Sequence, residues 1–258
     1  MKLHRSDDAD PRSGGPKLSC PLPVHQCWAD TIFLHWRIPV SAAAARMPPG
    51  VQPDVLDGTT WIGLIGFRVP GTVVGPAVGV GLSLPYVGSF AEVNVRLYSR
   101  GRDGSRGVLF LSLDVSRLAF ALAARAGGMP SVWSRCRPTT AEGAVPTYGY
   151  DVERRHGQGT SSFSVRPDPA RRADDELSLW LTQRFGLHWR FAGRTAFIPI
   201  SHQPWPLQPA ALIHHGEEDA LLETAGFPVQ RAPESVLFSP GVRTQFGRPW
   251  AVHAPGFP

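Results

Sequence analysis

The stretch Phe90–Arg100, FAEVNVRLYSR, contains the pattern that decides the fold. Polar and apolar side chains alternate along it, which is typical of a β-strand whose successive residues point to opposite faces of a sheet. The apolar face consists of Val93, Val95 and Leu97. The other face is polar and consists of Glu92, Asn94, Arg96 and Tyr98. This polar face is either the solvated side of an outer strand or the lining of a cavity inside a strongly curved sheet.

Strand patterns continue on both sides of this stretch. The turn pair Asp57-Gly58, followed by alternating apolar residues from Trp61, predicts a hairpin. Roughly ten strands are predicted in all, most of them joined by tight turns, and about three helices interrupt them. The first of these helices is predicted to cover the sheet with Val115, Leu118, Ala119, Leu122 and Ala123. The prediction is an α+β fold built on one antiparallel, curved or barrel-like sheet.

The length of 258 residues is enough for one full hydrophobic core. The 27 glycines and 26 prolines argue against a helical bundle. Residues 1–23 are polar and lack periodicity, so we expect a disordered leader followed by a single domain over residues 24–258. We find no apolar run long enough to cross a membrane and no signal-peptide pattern, which predicts a cytoplasmic protein without membrane contact.

The charged and metal-binding residues argue against several functional classes. The net charge is only +5 and the arginines alternate with acids, so we expect no nucleic-acid partner. Neither the three cysteines nor the histidines have metal-site spacing, so we expect no metal and no cofactor. Among 26 basic residues, Lys2 and Lys17 are the only lysines, and both lie in the predicted leader. The predicted domain therefore has no lysine that could form a Schiff base.

Glu92 and Arg96 are the predicted catalytic residues, because they lie four residues apart on the polar face. Inside a cavity, the arginine would bind a carboxylate and the glutamate would transfer a proton, and each would help to hold the other ionised. Asn94 and Tyr98, on the same face, are predicted to contact the same ligand.

Aromatic residues and a proline-rich loop supply further candidates for the wall of a pocket. The chain has eight tryptophans, of which Trp133 lies on a predicted strand. The loop 201–209, SHQPWPLQP, cannot form a regular helix or central strand. It carries His202 and Trp205 and is a candidate lid. His35 lies next to a tryptophan and is also a predicted ligand contact.

Seven blocks of sequence point to a known family. They are FLHW (33–36), DG (57–58), WIGL (61–64), FAEVNVRLY (90–98), FLSLD (110–114), PWPLQ (204–208) and SPGV (239–242). In this order they resemble the uncharacterised YqjF-like proteins, the DUF2071 family. The resemblance covers nearly all of the predicted domain.

That family is similar, more distantly, to the acetoacetate decarboxylase-like superfamily. The resemblance implies an antiparallel sheet that closes into a cone-like barrel around a small-molecule cavity. It also implies a Gly-x-Pro-Lys motif whose lysine forms the Schiff base. Gly128-Met129-Pro130 stands at the place of this motif, and Ser131 replaces the lysine. The resemblance therefore implies a cavity with Ser131 on its wall but argues against decarboxylation through an imine.

Two functions remain open at this point. The first is a biosynthetic small-molecule enzyme that performs a lysine-independent lyase, cyclase or isomerase step on an organic acid or keto compound. The second is a non-catalytic protein that binds a hydrophobic organic acid. The expected partner is a small molecule in each case, and a homo-oligomer is left open.

The absence of lysine after Lys17 makes a direct prediction about covalent chemistry. Borohydride reduction in the presence of keto acids should trap no covalent adduct on residues 18–258, because only an amine forms the reducible imine. Peptide mass spectrometry after the reduction measures this. A stable adduct beyond residue 17 would contradict the prediction.

Overall fold

The structure is a computed structural model that describes residues 14–75, 82–83, 88–155, 159–216 and 219–252. The strands in these ranges are β1 (Pro21–Ile38), β2 (Val51–Pro53), β3 (Thr60–Val69), β4 (Thr72–Val74), β5 (Leu82–Ser83), β6 (Phe90–Gly101), β7 (Arg106–Val115), β8 (Ser131–Ala141), β9 (Thr147–Arg154), β10 (Thr160–Pro167), β11 (Gly186–Phe191), β12 (Arg194–His202), β13 (Gln208–His215), β14 (Ser235–Gly247) and β15 (Trp250–Ala251). The helices are α1 (Val40–Ala44), α2 (Leu118–Ala126), α3 (Glu176–Thr182) and α4 (Ala220–Thr224). No helix in the described part of the chain is long and apolar enough to span a membrane.

The strands form one large curved sheet, as predicted. Their order is β11-β12-β14-β13-β10-β9-β8-β7-β6-β3-β1-β4-β5, with β2 on β6 and β15 on β12. Two further pairings, β7 with β11 and β1 with β14, close a ring of strands that runs β7, β6, β3, β1, β14, β12, β11 and back to β7.

The sheet is mixed, which corrects the prediction of a purely antiparallel sheet. The pairings of β7 with β8 and with β11 are parallel. The first of these has a local cause, because α2 lies between β7 and β8 in place of a tight turn, and β8 begins beside the last residues of β7.

Strand β6 is buried on both faces. It pairs with β3 on one side and β7 on the other, and its residues from Phe90 to Ser99 are buried except for the half-buried Arg96. Val93, Val95 and Leu97 belong to a core cluster that also contains Ile62 and Leu64 of β3. The opposite face, with Glu92, Asn94, Arg96 and Tyr98, points into the ring of strands, where two smaller apolar clusters lie.

The packing of α2 differs from the prediction. Leu118 and Leu122 are 43% and 57% exposed, whereas Ala121 is buried. Phe120 packs on Phe90 with ring centroids 4.4 Å apart. The predicted apolar stripe was wrong because it counted Val115 as helical, whereas Val115 is the last residue of β7. Helix α2 begins only at Leu118, and the face that contains Ala121 is the one that packs on the sheet.

The amino-terminal segment contacts the sheet earlier than the predicted start of the domain. Strand β1 begins at Pro21, and the backbone N–H of Gly15 donates to the carbonyl oxygen of His202 at 2.8 Å. Part of the predicted leader, residues 14–23, therefore lies against or within the sheet. Residues 1–13 lie outside the described ranges, and their disorder stays a prediction.

A buried ion pair joins β7 to β9 on the side of the sheet that faces the first core cluster. Arg154 donates to Asp114 through Nε and Nη2, each at 2.8 Å, and through Nη1 to Thr224 Oγ1 of α4 at 2.6 Å. Ser112 and Ser134 also donate to the Asp114 carboxylate, at 3.0 and 2.7 Å. The pair is thus supplied with hydrogen bonds from β7, β8, β9 and α4.

Removing one partner of this pair should destabilise the protein strongly. In Arg154→Met, the Asp114 carboxylate stays buried without its cation, so the free energy of unfolding should fall by about 3–5 kcal/mol. The matched control is Arg135→Met, because Arg135 and its partner Glu153 are 52% and 57% exposed; the loss should be below about 1 kcal/mol. Urea denaturation at pH 7 measures each. Equal losses would contradict this account of the core.

Candidate functional site

The register of the sheet brings residues from five strands, β1, β3, β6, β7 and β8, onto one face. Across the pairings, residues that lie directly opposite one another point to the same side. One row contains His35, Gly63, Arg96 and Phe110. The next contains Phe33, Ile65, Asn94, Leu113 and Ser131. The third contains Phe67, Glu92, Val115 and Trp133. Six residues predicted separately from the sequence therefore share one face, which points into the ring.

Glu92 lies in a buried, weakly solvated position near one end of this face. Its Oε1 accepts a hydrogen bond from Asn94 Nδ2 at 3.0 Å. Burial raises the pKa of Glu92 to about 8, because the surroundings cannot solvate the carboxylate; the Asn94 hydrogen bond and the Arg96 charge oppose this shift, and Asp114 adds to it. Glu92 is therefore largely protonated at neutral pH. This corrects the expectation that Arg96 holds it ionised, since burial outweighs the attraction of the arginine.

Arg96 carries a positive charge that no carboxylate balances within the described residues. Its Nη2 donates to the carbonyl oxygen of Leu181, at the end of α3, at 3.3 Å. Its guanidinium lies over the rings of Phe33 and Tyr98, at 5.7 and 5.6 Å from the centroids. The Nε atom is buried and has no hydrogen-bond partner. A half-buried arginine with a buried, unpartnered Nε–H and no carboxylate partner favours the binding of an anion.

Tyr98 and His35 lie on the same side as Arg96 and are fully buried. The ring of Tyr98 packs against Trp180 of α3, with centroids 5.0 Å apart, and its hydroxyl has no hydrogen-bond partner. Neither ring nitrogen of His35 has a partner. Burial, together with the charges of Arg96 and Arg184, lowers the pKa of His35 well below its usual value, so its imidazole is neutral.

The proline-rich loop closes one end of this region. Trp205 packs edge-on against Phe33 at 5.2 Å, and its Nε1 donates to the carbonyl oxygen of Thr182 at 3.1 Å. The ring of His202 is tilted against Trp205, with centroids 5.2 Å apart, and its Nδ1 donates to the carbonyl oxygen of Gln203 at 2.7 Å. Trp205 thus packs against Phe33 of the shared face, and His202 contacts Trp205.

The two predicted residues on β8 are engaged by their own surroundings. The hydroxyl of Ser131 donates to the carbonyl oxygen of Leu113 at 3.2 Å. Trp133 lies under the guanidinium of Arg155, which is 3.6 Å from the ring centroid. Both residues lie on the shared face, but the predicted site residues that have unpartnered polar atoms lie on β1 and β6.

Arg184 is a site residue that sequence reasoning missed. It follows α3, and its guanidinium lies against the rings of both Tyr98 and Trp180, at 4.8 and 4.1 Å from their centroids. It contacts the buried Asp54 through Nη1, while Nε and Nη2 have no partner. No local pattern marked it, because its role depends on α3 packing against β6. The described residues contain no cluster suited to a metal ion.

Two surface clefts lie elsewhere. One, of about 280 Å³, lies between Asp30, Arg68 and Tyr150, and the other, of about 260 Å³, lies beside His214 and Arg231. Neither is lined by a predicted site residue. The interior face is the stronger candidate, because its unpartnered buried polar atoms require a polar group that the described chain does not supply.

The raised pKa of Glu92 predicts a pH-dependent effect of Glu92→Gln. Between about pH 4.5 and 8, the unfolded state releases the Glu92 proton while the folded state keeps it, so stability of the original protein falls as pH rises. Glutamine has no proton to release. The stability of the variant relative to the original should therefore rise by on the order of 1 kcal/mol per pH unit in this range.

Denaturation curves from pH 4.5 to 8.5 measure the effect. The control is Glu153→Gln, because Glu153 is exposed and its substitution should give no such slope. A constant difference between Glu92→Gln and the original protein at all pH values would show that Glu92 is ionised in the folded state.

Comparison with known proteins agrees with this fold. The model of the family DUF2071, described as an uncharacterized conserved protein, matches residues 25–243. The uncharacterized protein YqjF of Bacillus subtilis (strain 168) is 28% identical over 193 residues, which cover 72% of this chain and 76% of YqjF. The enduracididine biosynthesis enzyme MppR, solved in complex with pyruvate, has a TM-score of 0.59 at 16% identity, over 92% of each chain.

An acetoacetate decarboxylase-like enzyme from Sphingomonas wittichii RW1 has a TM-score of 0.58 at 13% identity, over 89% of this chain and 93% of its own. At such low identity, these two structures establish the fold and not the activity. They confirm the acetoacetate decarboxylase-like architecture expected from the sequence. Since the family model extends over most of the sheet and all of β6, the chain belongs to the DUF2071 family.

Proposed function

We propose that this protein binds an organic acid or keto acid on the interior face of β6 and acts on it as an enzyme without a Schiff-base lysine. The observation that carries the proposal is the charge of Arg96, which no described carboxylate balances and which lies two rows along the same face from a largely protonated Glu92. A ligand carboxylate would supply the missing negative charge. Because Glu92 is neutral, it would not compete with the ligand carboxylate for Arg96, and it could donate a proton.

Each residue of the face has a defined part in this proposal. Arg96 binds the carboxylate, and its free Nε–H offers one directed hydrogen bond. Glu92 is the general acid, and the Asn94 amide orients its carboxyl. The unpartnered Asn94 Oδ1 accepts a hydrogen bond from the ligand. Phe33 and Trp205 form an apolar wall that excludes water.

The chemistry that fits these residues is a lyase, cyclase or isomerase step rather than an imine reaction. Lys17 is exposed and precedes β1, so it does not reach the interior face, and Lys2 lies outside the described ranges. MppR, which shares the fold, has been solved with pyruvate and with the condensation product of pyruvate and imidazole 4-carboxaldehyde. These complexes support a 2-oxo acid as the first ligand to test. A cytoplasmic location and a homo-oligomeric state stay predictions.

A second candidate is a binding protein that sequesters a hydrophobic organic acid. It is favoured by the aromatic cluster of Trp28, Phe67 and Trp205 near the site, in which Trp28 lies 5.2 Å from Phe67 and 6.1 Å from Trp205. Turnover distinguishes the two candidates. An enzyme converts the bound acid and loses this conversion, but not its binding, in Glu92→Gln; a binding protein converts nothing.

Replacing Arg96 should remove the binding of acids. In Arg96→Met, the affinity for pyruvate and phenylpyruvate should fall by about tenfold to a hundredfold, since a charge-assisted hydrogen bond contributes about 1.5–3 kcal/mol. The control is Arg37→Met, because Arg37 also lies over an aromatic ring, that of Trp61, but is exposed and paired with Glu234. Isothermal titration calorimetry measures the affinities.

The control should bind both acids as the original protein does. Equal affinity of Arg96→Met and the original protein would refute the anion site. The absence of binding to the original protein would reject these two acids as ligands, and a wider set of carboxylates would then be titrated in the same way.

A further inference from the structure

The guanidinium of Arg96 presents a fork of two N–H groups, one on Nε and one on Nη2. In any arginine these two N–H groups lie side by side and together match the two oxygens of a carboxylate. Here Nε is buried without a partner, whereas Nη2 donates to the carbonyl oxygen of Leu181 at 3.3 Å. This distance is longer than the usual range of about 2.7–3.2 Å. One half of the fork is therefore free, and α3 holds the other half only loosely.

The last turn of α3 is held against the sheet by side chains. Besides the contact with Arg96, the carbonyl oxygen of Thr182 accepts a hydrogen bond from Trp205 Nε1 at 3.1 Å. Among the described residues, no backbone hydrogen bond joins Glu176–Thr182 to a strand. Gln183 caps the helix, and both polar atoms of its side-chain amide are buried without a partner. The polar groups at this end of α3 are thus incompletely satisfied in their present position.

The segments before and after this turn are fixed more firmly. At the start of α3, the Asp175 carboxylate accepts hydrogen bonds from the backbone N–H and the hydroxyl of Ser178, at 3.0 and 2.6 Å. After the helix, the side chain of Arg184 contacts the buried Asp54, and the carbonyl oxygen of Phe185 accepts a backbone hydrogen bond from β12 at 2.9 Å. A shift of α3 is therefore confined to its last turn and the residue that caps it.

We propose that the carboxylate of the bound acid takes both halves of the Arg96 fork and displaces the Leu181 carbonyl, so that the last turn of α3, residues 179–182, is a gate over the interior face. The proposal rests on the proposed function, since Arg96 is the anion site. A carboxylate binds a guanidinium more strongly than a peptide carbonyl does, because both partners are charged. It also pairs the Nε–H, which the Leu181 carbonyl leaves unpaired. Acid binding therefore favours the open gate, and the acid occupies space that the Leu181 carbonyl leaves.

Weakening the second contact of the gate should raise the affinity for acids. Trp205→Phe keeps an aromatic ring at the position that packs against Phe33, but it removes the N–H that binds the Thr182 carbonyl. The closed gate loses a hydrogen bond, so the affinity for pyruvate should rise by about threefold to tenfold. The matched control is Trp189→Phe, because Trp189 Nε1 also donates to a carbonyl, that of Gly127 at 2.9 Å, which lies outside α3. The control should bind pyruvate as the original protein does, as measured by isothermal titration calorimetry.

Amide hydrogen exchange tests the gate in the original protein, without any substitution. The N–H groups of Gln183 and Arg184 donate to the carbonyl oxygens of Leu179 and Thr182, at 2.8 and 2.9 Å. These bonds are disturbed when the gate shifts, so saturating pyruvate should speed the exchange of a peptide that covers residues 179–185 by about tenfold or more. Mass spectrometry of the peptides measures this rate. Faster exchange on binding separates a displaced gate from simple burial by the ligand, which slows exchange.

The outcomes separate the gate from the anion site. Pyruvate binding that depends on Arg96 but leaves the exchange of residues 179–185 unchanged or slower would overturn the gate and leave the anion site intact. Equal or lower pyruvate affinity in folded Trp205→Phe would do the same. Should Trp205→Phe fail to fold, the exchange of the original protein decides. Absence of pyruvate binding by both the original protein and Trp205→Phe would refute the gate for this acid together with its binding site.

Discussion

The burial of both faces of β6 is the constraint on which the rest of the structure depends. A strand paired on both sides in a ring of strands has no solvated face, so its polar side chains cannot be hydrated as those of an outer strand are. They must be neutral, paired within the protein, or paired with a ligand. Glu92 is neutral, and Arg96 is left to pair with a ligand.

The two sides of the sheet differ in how completely their buried charged groups are paired. On one side, the carboxylate of Asp114 receives four hydrogen bonds, two of them from Arg154, so the pair is complete without a ligand. On the other side, Glu92 has a single side-chain donor, Asn94, and Arg96 has one carbonyl. The complete pair joins strands and stabilises the fold, whereas the incomplete set is the arrangement expected of a site that binds.

Much of the fold could be predicted because it depends on local patterns. The alternation in FAEVNVRLYSR and the turn at Asp57-Gly58 reveal strands, and the seven family blocks indicated the acetoacetate decarboxylase-like sheet. The parallel pairings of β7 and the true face of α2 were not predictable in this way. The pairing of β7 with β11 joins segments that are distant in the sequence, and the face that α2 presents depends on where the helix begins after Val115.

The polar set on β6 could be found in the sequence, but its electrostatics could not. Two interpretations of Glu92 and Arg96 remained open because alternation does not reveal whether a face is solvated. The neutral state of Glu92 follows from burial, and the convergence of His35 and Tyr98 follows from the register of β1, β3 and β6 across Gly63. Arg184 enters through the packing of α3 against Tyr98, a contact between distant segments.

The central claim is that Glu92 is protonated at neutral pH and shares its face of β6 with Arg96, whose charge no described carboxylate balances. Titration of the glutamate carboxyl carbons by ¹³C NMR, without and with pyruvate, tests it most directly. The account predicts one carboxyl that titrates near pH 8, disappears in Glu92→Gln, and titrates at still higher pH when pyruvate is bound, because the added carboxylate disfavours ionisation. Titration of every glutamate near pH 4.5, with no response to pyruvate, would contradict it.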